Sequence, residues 1–93
     1  MTKTVSFPLG RTLATPAALL MIERAGANPQ DYLERHQSGD WGDLDADDKA
    51  ANDYDVDHEG RLLSAYRLPD TTRIYVITEW DRSVTTVLLP EEY

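Results

Sequence analysis

The hydrophobic period of this 93-residue chain changes once, at Arg61, and that change limits the folds open to it. Before Arg61, apolar residues recur at three- and four-residue intervals between prolines and glycines. After it they alternate, in RLLSAYRL, RIYVITEW and SVTTVLLP, which are rich in β-branched and aromatic residues and separated by Pro69-Asp70-Thr71-Thr72 and Asp81-Arg82. No helical pattern long enough for a parallel crossover lies between these segments, so an antiparallel meander is predicted. The expected class is α+β: three short N-terminal helices packed on one face of a C-terminal three-stranded antiparallel meander. Val5, Phe7 and Leu9 add a short N-terminal strand that Pro8 confines to the sheet edge. A chain this short supports one core, so 1–93 is read as a single domain.

The first two helices share one pattern. Thr15 before Pro16 places a capping residue ahead of a proline at the first helical position, and Gly26 stops the segment. A helix is therefore predicted from Pro16 to about Ala25, with Ala18, Met21, Ile22 and Ala25 buried. Asn28, Pro29 and Ser38-Gly39 repeat the arrangement, with Pro29, Tyr32, Leu33 and His36 on one side and an Asp31–Arg35 pair on the other. This hairpin has the outline of a DNA-reading helix-turn-helix, but its second helix offers only Arg35 as a fixed positive charge, which favours packing on a sheet. Trp41, between Gly39 and Gly42, is expected to plug the helix layer. Asp45 caps a third helix with Asp47 and Asp48 in its first turn and Lys49 four residues on from the cap. Ala50, Ala51 and Tyr54 are its expected buried stripe, and Gly60 ends the segment.

Pairing Leu68 with Arg73 and Trp80 with Ser83 sets a register for the meander. It puts Leu63, Ala65, Ile74, Val76, Trp80, Val87 and Leu89 under the helices. Leu62, Tyr66, Tyr75, Ile77, Val84 and Leu88 then share the other face with Ser64, Arg73, Glu79 and Thr86, Tyr66 lying opposite Tyr75. A half-apolar face of that kind calls for cover by the N-terminal segment, a second protomer in a homodimer, or another partner.

Charge is concentrated between His36 and Gly60. Asp40, Asp43, Asp45, Asp47, Asp48, Asp53, Asp55, Asp57 and Glu59 meet one base there, Lys49, and account for most of the formal charge of −8. Such a balance disfavours direct binding to nucleic acid or anionic lipid and points to a protein with a basic surface. An apolar fraction of 41% with 28% charged residues suits a globular chain. There is no cysteine, hence no disulfide and no thiolate chemistry, in keeping with a cytoplasmic setting. The opening MTKTVSFPLGRTLATP lacks the apolar stretch of a secretory leader, and no apolar run approaches the ~18 residues of a membrane span.

Chemical motifs are sparse. Asp43, Asp45 and Asp47 reproduce the first three spacings of a calcium loop, but Asp48 stands where its glycine belongs and Tyr54 where its glutamate does. Asp53, Asp55 and Asp57 fail likewise, at His58 and Ser64, so neither metal nor cofactor is expected. His36 or His58 with Arg61, Arg67, Arg73 or Arg82 would suit a ribonuclease, although His36 on an apolar helix side reads first as a core-edge residue. Serine-hydrolase, dinucleotide-binding and P-loop signatures are absent from the sequence.

The strings GDWGDLDADDKAAND and RLLSAYRLPDTTRIYVITEWDRSVTTVLLPEEY resemble a family of short bacterial proteins common on plasmids and other mobile elements, known as plasmid-related proteins. The likeness runs from Thr12 onward and implies a mobile-element origin without assigning catalytic residues. In architecture alone the chain is similar to ribonuclease toxins of the barnase and RelE-like group, from which its acidity and scarcity of lysine set it apart. The expected function is a non-enzymatic protein-binding module, in its sharpest form a nucleic-acid mimic acting on a host defence or nucleic-acid-handling protein. It would use the nine acids or the sheet face around Tyr66 and Tyr75. The alternatives are a ribonuclease-like toxin and an accessory protein whose charge serves only solubility.

Overall fold

Each helix begins where a short polar side chain can take up a free amide of the first turn. Thr15 caps α1 (Pro16–Arg24), its hydroxyl accepting from the Ala18 N–H. Asn28 caps α2 (Pro29–Gln37) through the Gln30 N–H, and Asp45 caps α3 (Ala46–His58) through the Asp48 N–H. Gly26 and Gly39, with φ of 72° and 86°, take the left-handed turn that ends the first two helices. The third ends on Glu59 at φ 59°, and Arg82 ties its last turn down, donating to the carbonyls of Asp55 and Gly60 at 2.6 Å each.

The computed structural model describes residues 7–93 and shows an α+β fold with three helices and a four-stranded mixed sheet. Its strands are β1 (Arg11–Ala14), β2 (Leu62–Arg67), β3 (Arg73–Thr78) and β4 (Val84–Leu88), in the order β1-β4-β3-β2. The three C-terminal strands are antiparallel, and β1 joins β4 in parallel, making four strands instead of three. An N-terminal edge strand therefore exists, later in the chain than the alternation of Val5, Phe7 and Leu9 suggested. Val5 lies outside the described residues. Phe7 and Leu9 are not in a strand, because the Phe7 ring is drawn into a side cluster and its carbonyl accepts from Gln37 Nε2 at 2.8 Å. The chain turns into β1 at Gly10, whose φ of 67° and closeness to the Ser83 carbonyl leave no room for a side chain.

Strands β3 and β4 pair in the expected register, Val76 opposite Val87 and Thr78 opposite Thr85. Trp80 nevertheless falls beyond the end of β3 and is exposed, not part of the core. Strand β2 is shifted by one residue, Arg67 opposite Arg73 and Tyr66 opposite Ile74. The loop causes the shift. Thr71 adopts φ 72° and donates to the Leu68 carbonyl, while the Leu68 N–H donates to the Thr72 carbonyl, both at 2.8 Å. Three residues thus span the turn, with the last left-handed, a bulged hairpin that displaces the ladder by one. Since side chains alternate, the slip turns β2 over: Leu62, Ser64 and Tyr66 face the helices, and Leu63 and Ala65 face away.

The main core joins Ala18 and Ile22 of α1 and Tyr32 and Leu33 of α2 to Tyr66, Leu68, Ile74, Val76, Val87 and Leu89. A smaller cluster of Phe7, Trp41 and Leu62, with Leu44 and Val56 beside it, fills the α3 end. Trp41 is the expected plug, buried, with its indole N–H donating to Asp53 Oδ1 at 2.9 Å.

Helix α3 departs from its expected packing. Ala50, Ala51 and Tyr54 are exposed, and Asn52 is the buried residue. The reason lies in what α3 covers, which is the peptide edge of β2 and not an apolar sheet face. The Asn52 amide donates to the Leu63 carbonyl at 2.8 Å and accepts from the Leu63 N–H at 3.3 Å. Next along the edge, the Ala65 N–H donates to the Trp41 carbonyl at 3.2 Å and the Asp43 N–H to the Ala65 carbonyl at 2.6 Å. A side-chain amide matches such an edge where an alanine stripe cannot.

Candidate functional site: an acidic helix on the sheet edge

The nine acids divide into those that work within the fold and those that face solvent. Asp40 accepts from Arg35 Nε at 2.6 Å, which holds its carboxyl below the usual range, so Arg35 pairs here and not with Asp31. Asp43 pairs with Arg67 Nε at 2.9 Å, Asp45 caps α3, Asp53 takes the Trp41 indole proton, and Asp55 is half-buried beside Gly60. Asp47, Asp48, Asp57 and Glu59 are exposed on and just after α3.

At about 100° of rotation per residue, Asp47, Ala50, Tyr54 and Asp57 lie opposite the inward-facing Asn52. Tyr54 is 62% exposed, and its ring is stacked on that of His58 at 3.7 Å between centroids and 4° between planes. The His58 Nδ1–H donates to the Tyr54 carbonyl at 2.7 Å, which fixes the ring pair as a flat plate at the end of the helix. Asp47 and Asp57 stand about 15 Å apart along the axis at about 1.5 Å per residue. Asp48 lies on the Asn52 side, lining a groove with Asn52, Asp55, Arg61 and Leu63, and Glu59 is the left-handed cap beyond the last turn. The result is an aromatic plate between two carboxylates, Asp47 and Asp57, on a helix fixed from behind by Asn52 and Arg82.

The sheet-face site is not formed as expected. Tyr66 is buried on the helix side, where its hydroxyl donates to the Asp40 carbonyl at 2.6 Å and its ring carries the Arg35 guanidinium at 4.4 Å from the centroid. Burial raises its pKa. Tyr75 lies on the opposite face, half-buried and edge-on to Tyr93, so the two tyrosines do not meet; the loop at Thr71 is what separated them. On that outer face Ala65, Ile77 and Leu88 are already buried.

His36 is the residue whose surroundings sequence reading missed most. It is fully buried, with Nδ1 2.6 Å from Ser64 Oγ and Nε2 2.9 Å from Thr78 Oγ1; Thr78 Oγ1 lies 2.7 Å from Thr85 Oγ1, which donates to the Leu9 carbonyl at 2.7 Å. That last carbonyl can only accept, so the direction of the whole chain follows. Thr85 gives its proton to Leu9, Thr78 to Thr85, His36 Nε2–H to Thr78, and Ser64 to the lone pair on His36 Nδ1. Burial, and secondarily the charge of Arg82, pushes the His36 pKa down to about 3. A neutral ring with both nitrogens engaged in the core has no access to a substrate. The available signal was two hydroxyl residues, Thr78 and Thr85, where inward apolar residues were due; Ser64 joins them only because β2 is turned over.

The arginines that could have steadied a phosphate are mostly occupied. Arg61 pairs with Glu79 at 3.2 Å, Arg67 with Asp43, and Arg82 with backbone carbonyls around the end of α3. Arg35 and Arg67 line one groove with Asp40, Asp43 and Tyr66, so its formal charge is balanced. Among the described residues no group of three His, Cys, Asp or Glu side chains could hold a metal ion, and no helix is long and apolar enough to cross a membrane. Compared with known proteins, the chain matches no family model, no curated protein and no solved structure.

Proposed function

We propose that this protein is a non-enzymatic, acidic binding module that docks a protein with a basic surface through the outward side of α3. The observation that carries the reading is the exposure of Tyr54 between Asp47 at one end of the outward side of α3 and Asp57 at the other. An exposed aromatic flanked by unburied carboxylates suits a cationic groove, with the ring supplying contact area and the charges supplying long-range attraction. Negative charge spaced along a rigid support also suits imitation of a phosphate backbone, which makes a nucleic-acid-handling or defence protein of the host the preferred target. The resemblance to plasmid-related proteins supports a mobile-element origin, and the absence of cysteine suits a cytoplasmic setting. On this reading neither nucleic acid nor membrane is bound directly. The ribonuclease alternative gains nothing from His36, which is sealed in the core.

The test is a pull-down from bacterial lysate with the wild-type protein and with two variants, Tyr54→Ala and the double substitution Asp47→Asn with Asp57→Asn. Binding should weaken in both variants and fall steeply with added salt, because exposed charges act over roughly 10 Å at 0.1 M ionic strength. Capture indifferent to salt and to both variants would refute the proposal and leave the acidity to solubility.

A further inference from the structure

The two edges of the sheet are treated differently. Along β2, Asn52 and the Trp41–Asp43 segment take up the outward peptide groups of Leu63 and Ala65. Along β1, the Arg11 and Thr15 amides donate to the Ser83 and Val87 carbonyls of β4, so odd-numbered residues bond inward and Thr12 and Ala14 present their N–H and C=O groups at the free edge. Nothing among the described residues pairs with them, and Arg11, Thr12 and Leu13 are exposed. Proline and bulges, two of the devices that blunt an edge, are missing from Arg11–Ala14, and its one charge, Arg11, stands at the end of the strand.

We propose that this edge binds a second copy of the same chain, β1 to β1 in antiparallel orientation, closing two four-stranded sheets into one of eight. The register follows from which groups face outward. Thr12 of each copy exchanges both peptide hydrogen bonds with Ala14 of the other, and Leu13 sits on the two-fold axis opposite itself. Residues in such a non-hydrogen-bonded pair have Cα atoms about 4.5 Å apart and side chains in contact. The pairing gives the 43% exposed Leu13 an apolar partner.

Charge selects a second copy as the occupant. The chain as a whole carries −8, so self-association anywhere near α3 sets like charges together. From Arg11 to Gln30 the charged residues are Arg11, Arg24 and Glu23, and the acid that reaches this edge from elsewhere, Glu92, which accepts from Thr15 Oγ1 at 2.7 Å, comes near Arg11 of the other copy because this register sets Thr15 opposite Arg11. The arrangement places the two α3 helices on the far edges of the joined sheet, which makes the dimer independent of the docking proposed for that helix.

Sedimentation equilibrium over the micromolar range, with wild type and Leu13→Lys, tests the dimer. A cysteine cross-link then tests the register, since the chain has no cysteine of its own. Wild type is expected at twice the mass of the chain, insensitive to moderate salt, and Leu13→Lys at the single-chain mass with an unchanged circular dichroism spectrum. Leu13→Cys should oxidise rapidly to a covalent dimer, because about 4.5 Å between Cα atoms falls within the range a disulfide spans, whereas Tyr54→Cys on the far edge should not. A wild-type mass of one chain throughout, a dimer that survives Leu13→Lys, or a Leu13→Cys protein that cross-links no faster than Tyr54→Cys would overturn the proposal.

Discussion

Replacing His36 by glutamine should remove the loss of stability that this buried ring causes between pH 7 and pH 5. In the unfolded chain the ring titrates near its ordinary 6.5, whereas in the folded protein burial holds its pKa at about 3. Between those values the unfolded state binds a proton that the folded state refuses, so stability is fully present above about pH 6.5 and is lost as pH falls toward 3. At about 1.36 kcal/mol per pH unit the full loss is roughly 4–5 kcal/mol, of which about 2 kcal/mol falls between pH 7 and pH 5. That is a large fraction of the roughly 5–15 kcal/mol that holds a small domain together. Glutamine retains one donor and one acceptor for Thr78 and Ser64 but has no proton to take up. It should cost about 1–3 kcal/mol at pH 7 through imperfect hydrogen bonds and then lose about 2 kcal/mol less than wild type on going to pH 5. Urea unfolding at pH 7, 6 and 5, followed by the fluorescence of buried Trp41, gives both quantities. Parallel acid limbs for wild type and His36→Gln would refute the reasoning, since the protein would then be responding to groups other than this ring.

Three further perturbations follow from the packing. Trp41→Ala empties the small core cluster and leaves Asp53 without the indole proton, so it should cost about 3–5 kcal/mol in chemical denaturation. Asn52→Leu strips the β2 edge of its partners at Leu63, and a loss of about 1–3 kcal/mol with faster amide exchange at Leu63 is expected. Thr71→Gly relieves a β-branched residue held at φ 72° and should raise stability by about 1 kcal/mol, read as a higher melting temperature.

What could be read from the sequence was local, and what could not was decided by backbone hydrogen bonds between distant segments. The caps at Thr15, Asn28 and Asp45 lie within three residues of the amides they satisfy, so the helix starts are written in short strings. The register of β3 on β4 was likewise legible, from the apolar alternation on either side of Asp81-Arg82. The register of β2 was not, because it rests on Thr71 adopting a conformation that β-branched residues seldom take. That one dihedral moved Tyr66 from an expected binding face into the core. Strand β1 was equally hidden: RTLA carries little alternation, and its place was fixed by a parallel partner more than seventy residues away.

The candidate site was legible as composition and illegible as geometry for the same kind of reason. Nine acids in one stretch suggested one surface, yet Asp40, Asp43, Asp45 and Asp53 are each engaged by a specific donor, Arg35, Arg67, the Asp48 amide and the Trp41 indole. Three of those donors come from outside α3, where no short-range pattern points to them. The exposed set is smaller, and it is centred on Tyr54 because α3 faces a strand edge. Covering peptide groups calls for an amide, so Asn52 turns inward and the stripe of Ala50, Ala51 and Tyr54 turns out. The decision that closes the β2 edge to other strands is therefore the same one that presents the aromatic plate and its carboxylates to solvent. If the outward side of α3 docks a partner as proposed, an Asn52 substitution that loosens α3 should weaken that binding along with stability, although Asn52 itself is buried on the opposite side.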